Sequence, residues 1–178
     1  MAGRRRGRAV SVRVIELAIG WTVVLDVVLW GLISTVTGYL AHRAPVARFA
    51  HDGPLTRLRP FEDGGRWYER HLAIKRWKGR LPEAGGLFRD GFSKRSLRSA
   101  SVDQLERFVV ETRRAEVTHW IVMAAGPFFV LWNPWGLAAV MVAYGVIANL
   151  PCLVIQRYNR ARLLRVLGRV RGRSGHPT

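Results

Sequence analysis

At 178 residues the chain has room for one domain, or a small domain with membrane segments. It is 49% hydrophobic yet carries a formal charge of +17, from 29 basic and 12 acidic residues, which argues against an ordinary soluble globule. Seven tryptophans and long apolar runs favour lipid over nucleic acid as the partner of that charge, and no nucleic-acid motif accompanies it. The single cysteine, Cys152, rules out an intrachain disulfide and a Cys-based zinc site.

Along the chain, Met1 to Arg13 is an arginine-rich start suited to a lipid headgroup surface. Residues 14–40 are apolar and long enough for a membrane helix, which needs about 20 residues. The interruptions are Glu16 and, near the middle, Asp26, a costly group there whose partner could be an arginine. Residues 42–100 read as an interfacial region, basic and aromatic, with Phe61, Trp67, Tyr68, Trp77, Phe88 and Phe92 needing burial. Within it Tyr68 to Arg80 is predicted as a helix that stops before Pro82. Ser101-Val102-Asp103-Gln104 is a capping box with acidic Asp103 and Glu106 in the first turn, so a long helix starts there. It leads through an apolar stretch with a kink at Gly126-Pro127 to a turn at Asn133-Pro134. Residues 101–132 and 135–165 thus form a helical hairpin, ending in a basic tail. The predicted class is mainly α: a small integral membrane protein in one domain.

Helical spacing selects particular polar residues from this background. Leu105, Val109, Thr112, Glu116, His119 and Met123 share one face, so Glu116 and His119 lie on the side that packs. Neither is cheap to bury alone, and each needs the other or a basic residue as partner. On the returning helix Asn149, Leu153, Gln156 and Arg160 share a face, which a hairpin brings towards the first. Arg113 and Arg114 are left as lipid or substrate contacts. Glu116-x-x-His119 also fits half of a carboxylate-bridged di-metal motif, but with one such pair no metal is expected.

Two blocks carry a family resemblance: Glu-Thr-Arg-Arg-Ala-Glu-Val-Thr-His-Trp at 111–120, and Ile147-Ala148-Asn149-Leu150-Pro151 followed by Gln156-Arg157-Tyr158-Asn159-Arg160-Ala161-Arg162-Leu163. They resemble the signature blocks of the glycosyl-4,4'-diaponeurosporenoate acyltransferases, with a looser match at Ile74-Lys75-Arg76-Trp77-Lys78 and Leu81-Pro82. The resemblance implies transfer of a fatty acyl group to a sugar hydroxyl of a glycosylated carotenoid or related glycolipid. For that chemistry His119 is the expected base and Glu116 the group that orients it. Asn149 or Gln156 would serve the oxyanion or orient substrate. Lys75, Lys78, Arg157 and Arg160 are candidates for donor phosphates or lipid headgroups. No cofactor is implied, because acyl-CoA or a carrier-bound fatty acid is the donor substrate. Cys152 lies too deep in an apolar run to be a nucleophile.

Basic residues crowd the N-terminus, the central region and the tail, and the positive-inside rule asks for all three in the cytoplasm. A crossing by residues 14–40 puts the first two on opposite sides, unless that segment is re-entrant. The expected location is the cell membrane with the site facing the cytoplasm, where an acyl-CoA donor would be. The competing reading is a non-catalytic lipid-binding or scaffolding protein of a lipid or carotenoid biosynthetic complex.

Overall fold

The structure is a computed structural model that describes residues 15–80 and 101–174, with side chains placed through residue 172. Met1 to Arg13, Leu81-Pro82, Phe88 and Phe92 lie outside the described residues. Within them all regular structure is helical: α1 (Ile19–Arg43), α2 (Arg66–His71), α3 (Val102–Ala124) and α4 (Trp135–Ser174), with short 3-10 turns between. The helices α1 and α4 are each long and apolar enough to cross a membrane.

Helix α3 begins at the predicted capping box: Gln104 N donates to Ser101 Oγ at 3.2 Å, and Ser101 N to Gln104 Oε1 at 3.0 Å. The α-helix stops at Ala124, and Gly126–Leu131 continues as a 3-10 turn, because Pro127 cannot give the hydrogen bond an α-helix requires there. The chain reverses at Asn133-Pro134, and α4 returns antiparallel to α3. Pro151 sits inside α4 without ending it, so α4 runs unbroken for 40 residues.

Helix α1 lies along this hairpin, antiparallel to α3. Its N-terminal part reaches the hairpin turn, where Asp26 Oδ1 accepts from Trp132 Nε1 and Asn133 Nδ2, both at 2.8 Å. Asp26 is therefore level with the hairpin turn, and its partners are an indole and an amide instead of an arginine. Next to it Trp30 stacks on Phe129 at 4.8 Å between ring centres and presses on Gly145. A Cβ on Gly145 would lie 2.8 Å from Trp30 Cη2, so any larger residue would displace that ring.

Burial divides the molecule at Pro151. Before it, Val140, Val146, Ile147 and Leu150 of α4 are exposed, as are Val24, Val27, Val28 and Leu32 of α1. After it Leu153, Ile155, Tyr158, Ala161 and Leu163 are buried in a packed base. Leu105 and Val109 of α3 meet Leu163 and Leu167 there.

Residues 44–80 pack onto this base. The predicted continuous helix over Tyr68 to Arg80 is instead α2 followed by two 3-10 turns, broken at Ala73, whose φ of 45° is left-handed. The break turns Ile74 into a fully buried cluster with Tyr68, Ile155 and Tyr158, while Trp77 Nε1 donates to Leu72 O at 2.9 Å. Tertiary anchoring outweighs a helix propensity of tenths of a kcal/mol per residue. Gly65, with φ 94°, allows the preceding turn to lie against Tyr158: a Cβ there would be 3.2 Å from that ring.

Candidate functional site

The face Leu105, Val109, Thr112, Glu116 of α3 is buried, and so is the α4 face Asn149, Leu153, Gln156, Arg160. The two faces meet, but their polar groups sort into two centres. Glu116 belongs to the first. Its Oε1 accepts from Arg157 Nη1 at 2.7 Å and Trp120 Nε1 at 3.4 Å, and its Oε2 lies 2.5 Å from Arg160 Nη1. That last contact lacks the angle of a hydrogen bond, so its attraction is mainly Coulombic. Glu116 and Arg160 are both fully buried.

The network extends outward to residues 52–68. Arg157 also donates to Leu55 O and Arg57 O, each at 2.9 Å, and to Glu62. Arg160 donates to Thr56 O. Glu62 additionally caps its own turn, accepting from Arg59 N at 2.7 Å, and takes the Tyr68 hydroxyl at 2.6 Å. Burial, followed by the bond to Glu62, pushes the Tyr68 phenol well above its ordinary range. Two carboxylates, Glu62 and Glu116, thus face two guanidiniums, which offsets the cost of burying four charges. Arg157 and Arg160, candidates for phosphate binding, both donate to backbone carbonyls of the 55–57 loop and so hold it to the hairpin. Arg113 makes a similar clamp: it is buried, with Nε donating to Asp52 at 2.7 Å and Nη1 to Ala50 O at 3.1 Å. Glu62 and Asp52 are the members that the sequence reading missed. The spacing Arg59-Pro60-x-Glu62, a turn with an acid at its third residue, is the signal that could have found Glu62.

His119 belongs to the second centre. Its Nδ1 is 2.9 Å from Asn149 Oδ1, while Asn149 Nδ2 donates to Gly145 O at 2.9 Å. The second bond fixes the amide: its nitrogen faces the carbonyl and its oxygen faces the imidazole. Neutral His119 therefore carries its proton on Nδ1 and has a basic lone pair on Nε2. The sequence reading gave the orienting role to Glu116, one turn earlier; the residue found at Nδ1 is Asn149. His119 and Asn149 line a cleft of about 550 Å³ between α1, α3 and α4, together with Gln156 and Cys152. Glu111, Arg114 and His42 form its polar end, and Trp30, Val122 and Tyr144 its apolar end.

Lys75 and Lys78 stand elsewhere. Lys75 pairs with Glu69 at 2.5 Å, and Lys78 lies 4.9 Å over the Tyr158 ring. Tyr158 is nine residues beyond Asn149, half a helical turn out of phase, so this lysine packs on the side of α4 opposite the cleft. Burial first, then the nearby Arg162, lowers Lys78 to about 8. Among the described residues no cluster of three or more His, Cys, Asp or Glu side chains could hold a metal ion.

Among the described residues the fold is helical, with two helices long and apolar enough to cross a membrane and a cleft whose wall carries the imidazole of His119. Residues 53–169 match the sequence model of the glycosyl-4,4'-diaponeurosporenoate acyltransferases, and the chain belongs to that family. Proteins named glycosyl-4,4'-diaponeurosporenoate acyltransferase from Staphylococcus aureus strains MRSA252, bovine RF122 / ET3-1 and USA300 are each 28% identical to it over 140 residues, covering 78% of this chain and 83% of theirs. No solved structure matches the chain.

Proposed function

We propose that this protein is a membrane-bound acyltransferase that esterifies a sugar hydroxyl of a glycosylated carotenoid, or of a related glycolipid, with a fatty acyl group. The family membership supplies the reaction class, and the observation that carries the site is the His119–Asn149 pair on the cleft wall. In this reading His119 Nε2 takes the proton of the sugar hydroxyl as its oxygen attacks the acyl carbonyl carbon. The tetrahedral intermediate collapses, the thiolate of the donor leaves, and the imidazolium returns the proton to it. Asn149 holds the imidazole in the required tautomer, a role that a neutral amide fills in Cys-His-Asn sites. Its own nitrogen is committed to Gly145, which leaves Gln156 as the amide available to the oxyanion.

The donor is acyl-CoA or a carrier-bound fatty acid, with its phosphates at the base. Lys75, 61% exposed, suits that contact better than Arg157 or Arg160. The basic residues of the base and of the α4 tail favour a cytoplasmic position for this end by the positive-inside rule. The test uses the full chain in lipid nanodiscs with acyl-CoA and a glycosylated carotenoid, read by mass spectrometry. A product heavier by one acyl unit is expected, absent with His119→Ala. No product from the wild-type chain with any glycoside and donor would refute the assignment.

A further inference from the structure

The cleft at His119 adjoins a second cavity of about 430 Å³ between α1 and α4, and the two share the lining residues Trp30, Ser34 and Tyr144. Together they form one seam from His42 to Asp26. Those residues are sixteen apart on α1, so the seam is about 24 Å long. On the α1 side its floor is Gly31, Ser34, Gly38 and Ala41, on one face by spacing. A Cβ added at Gly31 or Gly38 would meet nothing within 4 Å, so this face is an open channel rather than a tight helix crossing, in contrast to Gly145.

Each end of the seam carries a buried polar oxygen that accepts no hydrogen bond, although Asp26 is held through its other oxygen by Trp132 and Asn133. At the cleft end Gln156 is 6% exposed, and its Oε1 accepts no hydrogen bond. At the far end Asp26 is 2% exposed, and its Oδ2 accepts none. An unmade hydrogen bond at a buried acceptor costs about 1–3 kcal/mol, which a bound donor would recover. At Gln156 a sugar hydroxyl is such a donor, and it would lie in the same cleft as His119.

We propose that this seam is the binding track for the hydrocarbon tail of the glycoside acceptor, with the sugar at Gln156 and His119 and the tail extended between α1 and α4 towards Asp26. This assignment rests on the acyltransfer reading above. The seam suits a single extended chain better than a two-chain membrane lipid, because one face of α1, Gly31 and Ser34, lines it opposite Met141 and Tyr144. It fits the acceptor better than the donor, because its polar end carries the group that would hold a sugar beside the base.

The decisive variant is Gly31→Leu, which fills the far part of the seam without touching the His119 cleft. In nanodiscs, KM for a long-tailed carotenoid glycoside should rise about tenfold or more, since several buried methylene contacts are lost. KM for butyl glucoside, whose tail ends before Gly31, and KM for the acyl donor should not change. An unchanged KM for the long glycoside, or an equal rise for both glycosides, would overturn the assignment. Binding is read separately by contact quenching of tryptophan with a long-tailed glycoside brominated near its far end. Quenching should be present in the wild-type chain and reduced in Trp30→Phe and Gly31→Leu, and its absence from the wild-type chain would also overturn the assignment. If quenching behaves as expected while no glycoside is acylated, the track stands and the acyltransfer reading fails.

Discussion

In the proposed reaction the base must carry its proton on one particular nitrogen, and the Asn149 amide selects it in His119. Replacing Asn149 with Ala removes the acceptor at Nδ1, so kcat should fall on the order of 10²-fold or more with little change in KM, as steady-state kinetics would show. Glu116→Gln tests a different property. It leaves Arg157 and Arg160 buried with half their compensation, and the cost should be about 3–5 kcal/mol, seen as a large fall in the thermal unfolding midpoint. Helical spacing showed both Glu116 and His119 on the packing side of α3. It could not show that they face different neighbours, because one turn of helix separates an ion cluster from a cleft and the choice depends on α4.

Among the elements, those with strong local signals were legible. The capping box starts α3 where Ser101 and Gln104 place it, and Pro127 ends its α-helical run. The break at Ala73 was not legible, since Tyr68 to Arg80 has no internal proline or glycine before Gly79 and only the burial of Ile74 forces it. The crossing of α1 over α4 depends on Gly145, which nothing in its sequence neighbourhood distinguishes from Gly31 or Gly38. Gly145→Ala should push the Trp30 ring outward and cost about 1–3 kcal/mol, with a change in tryptophan emission to report the displacement. Gly20→Ala, on the same helix as Trp30 with nothing near its Cβ, should be neutral or slightly stabilising in the same assay.

For the molecule as a whole, the mainly helical class and the two apolar spans followed from composition and run length. The conflict over sidedness also takes a definite form: α1 runs from the hairpin turn to the base, so its two ends lie at opposite ends of the molecule. Cysteine labelling from each side of sealed vesicles should place a probe at Arg169 with the base and one at Ile19 on the opposite side. The base also has a pH signature. Lys78 is lowered to about 8, so below that pH the folded state holds a charged lysine that burial disfavours. The unfolded chain keeps its proton to near pH 10.4, so the Lys78 contribution to stability rises with pH between about 8 and 10. The slope should be visible in unfolding midpoints measured across that range and should vanish in Lys78→Met.

The cluster around Glu116 also fixes how α3 and α4 slide along each other. Apolar helix faces in lipid have little preference among neighbouring registers, and a shift by one turn moves contacts by about 5.4 Å. Glu116 lies three residues before His119, and Arg157 lies eight after Asn149, so the ion pairs act as a pin beside the 2.9 Å contact between imidazole and amide. A slip that released Glu116 from Arg157 and Arg160 would strand charge in the base before it reached the cleft. The axial alignment of the two helices, and with it the distance from His119 to Asn149, is thus held by residues that need never touch a substrate.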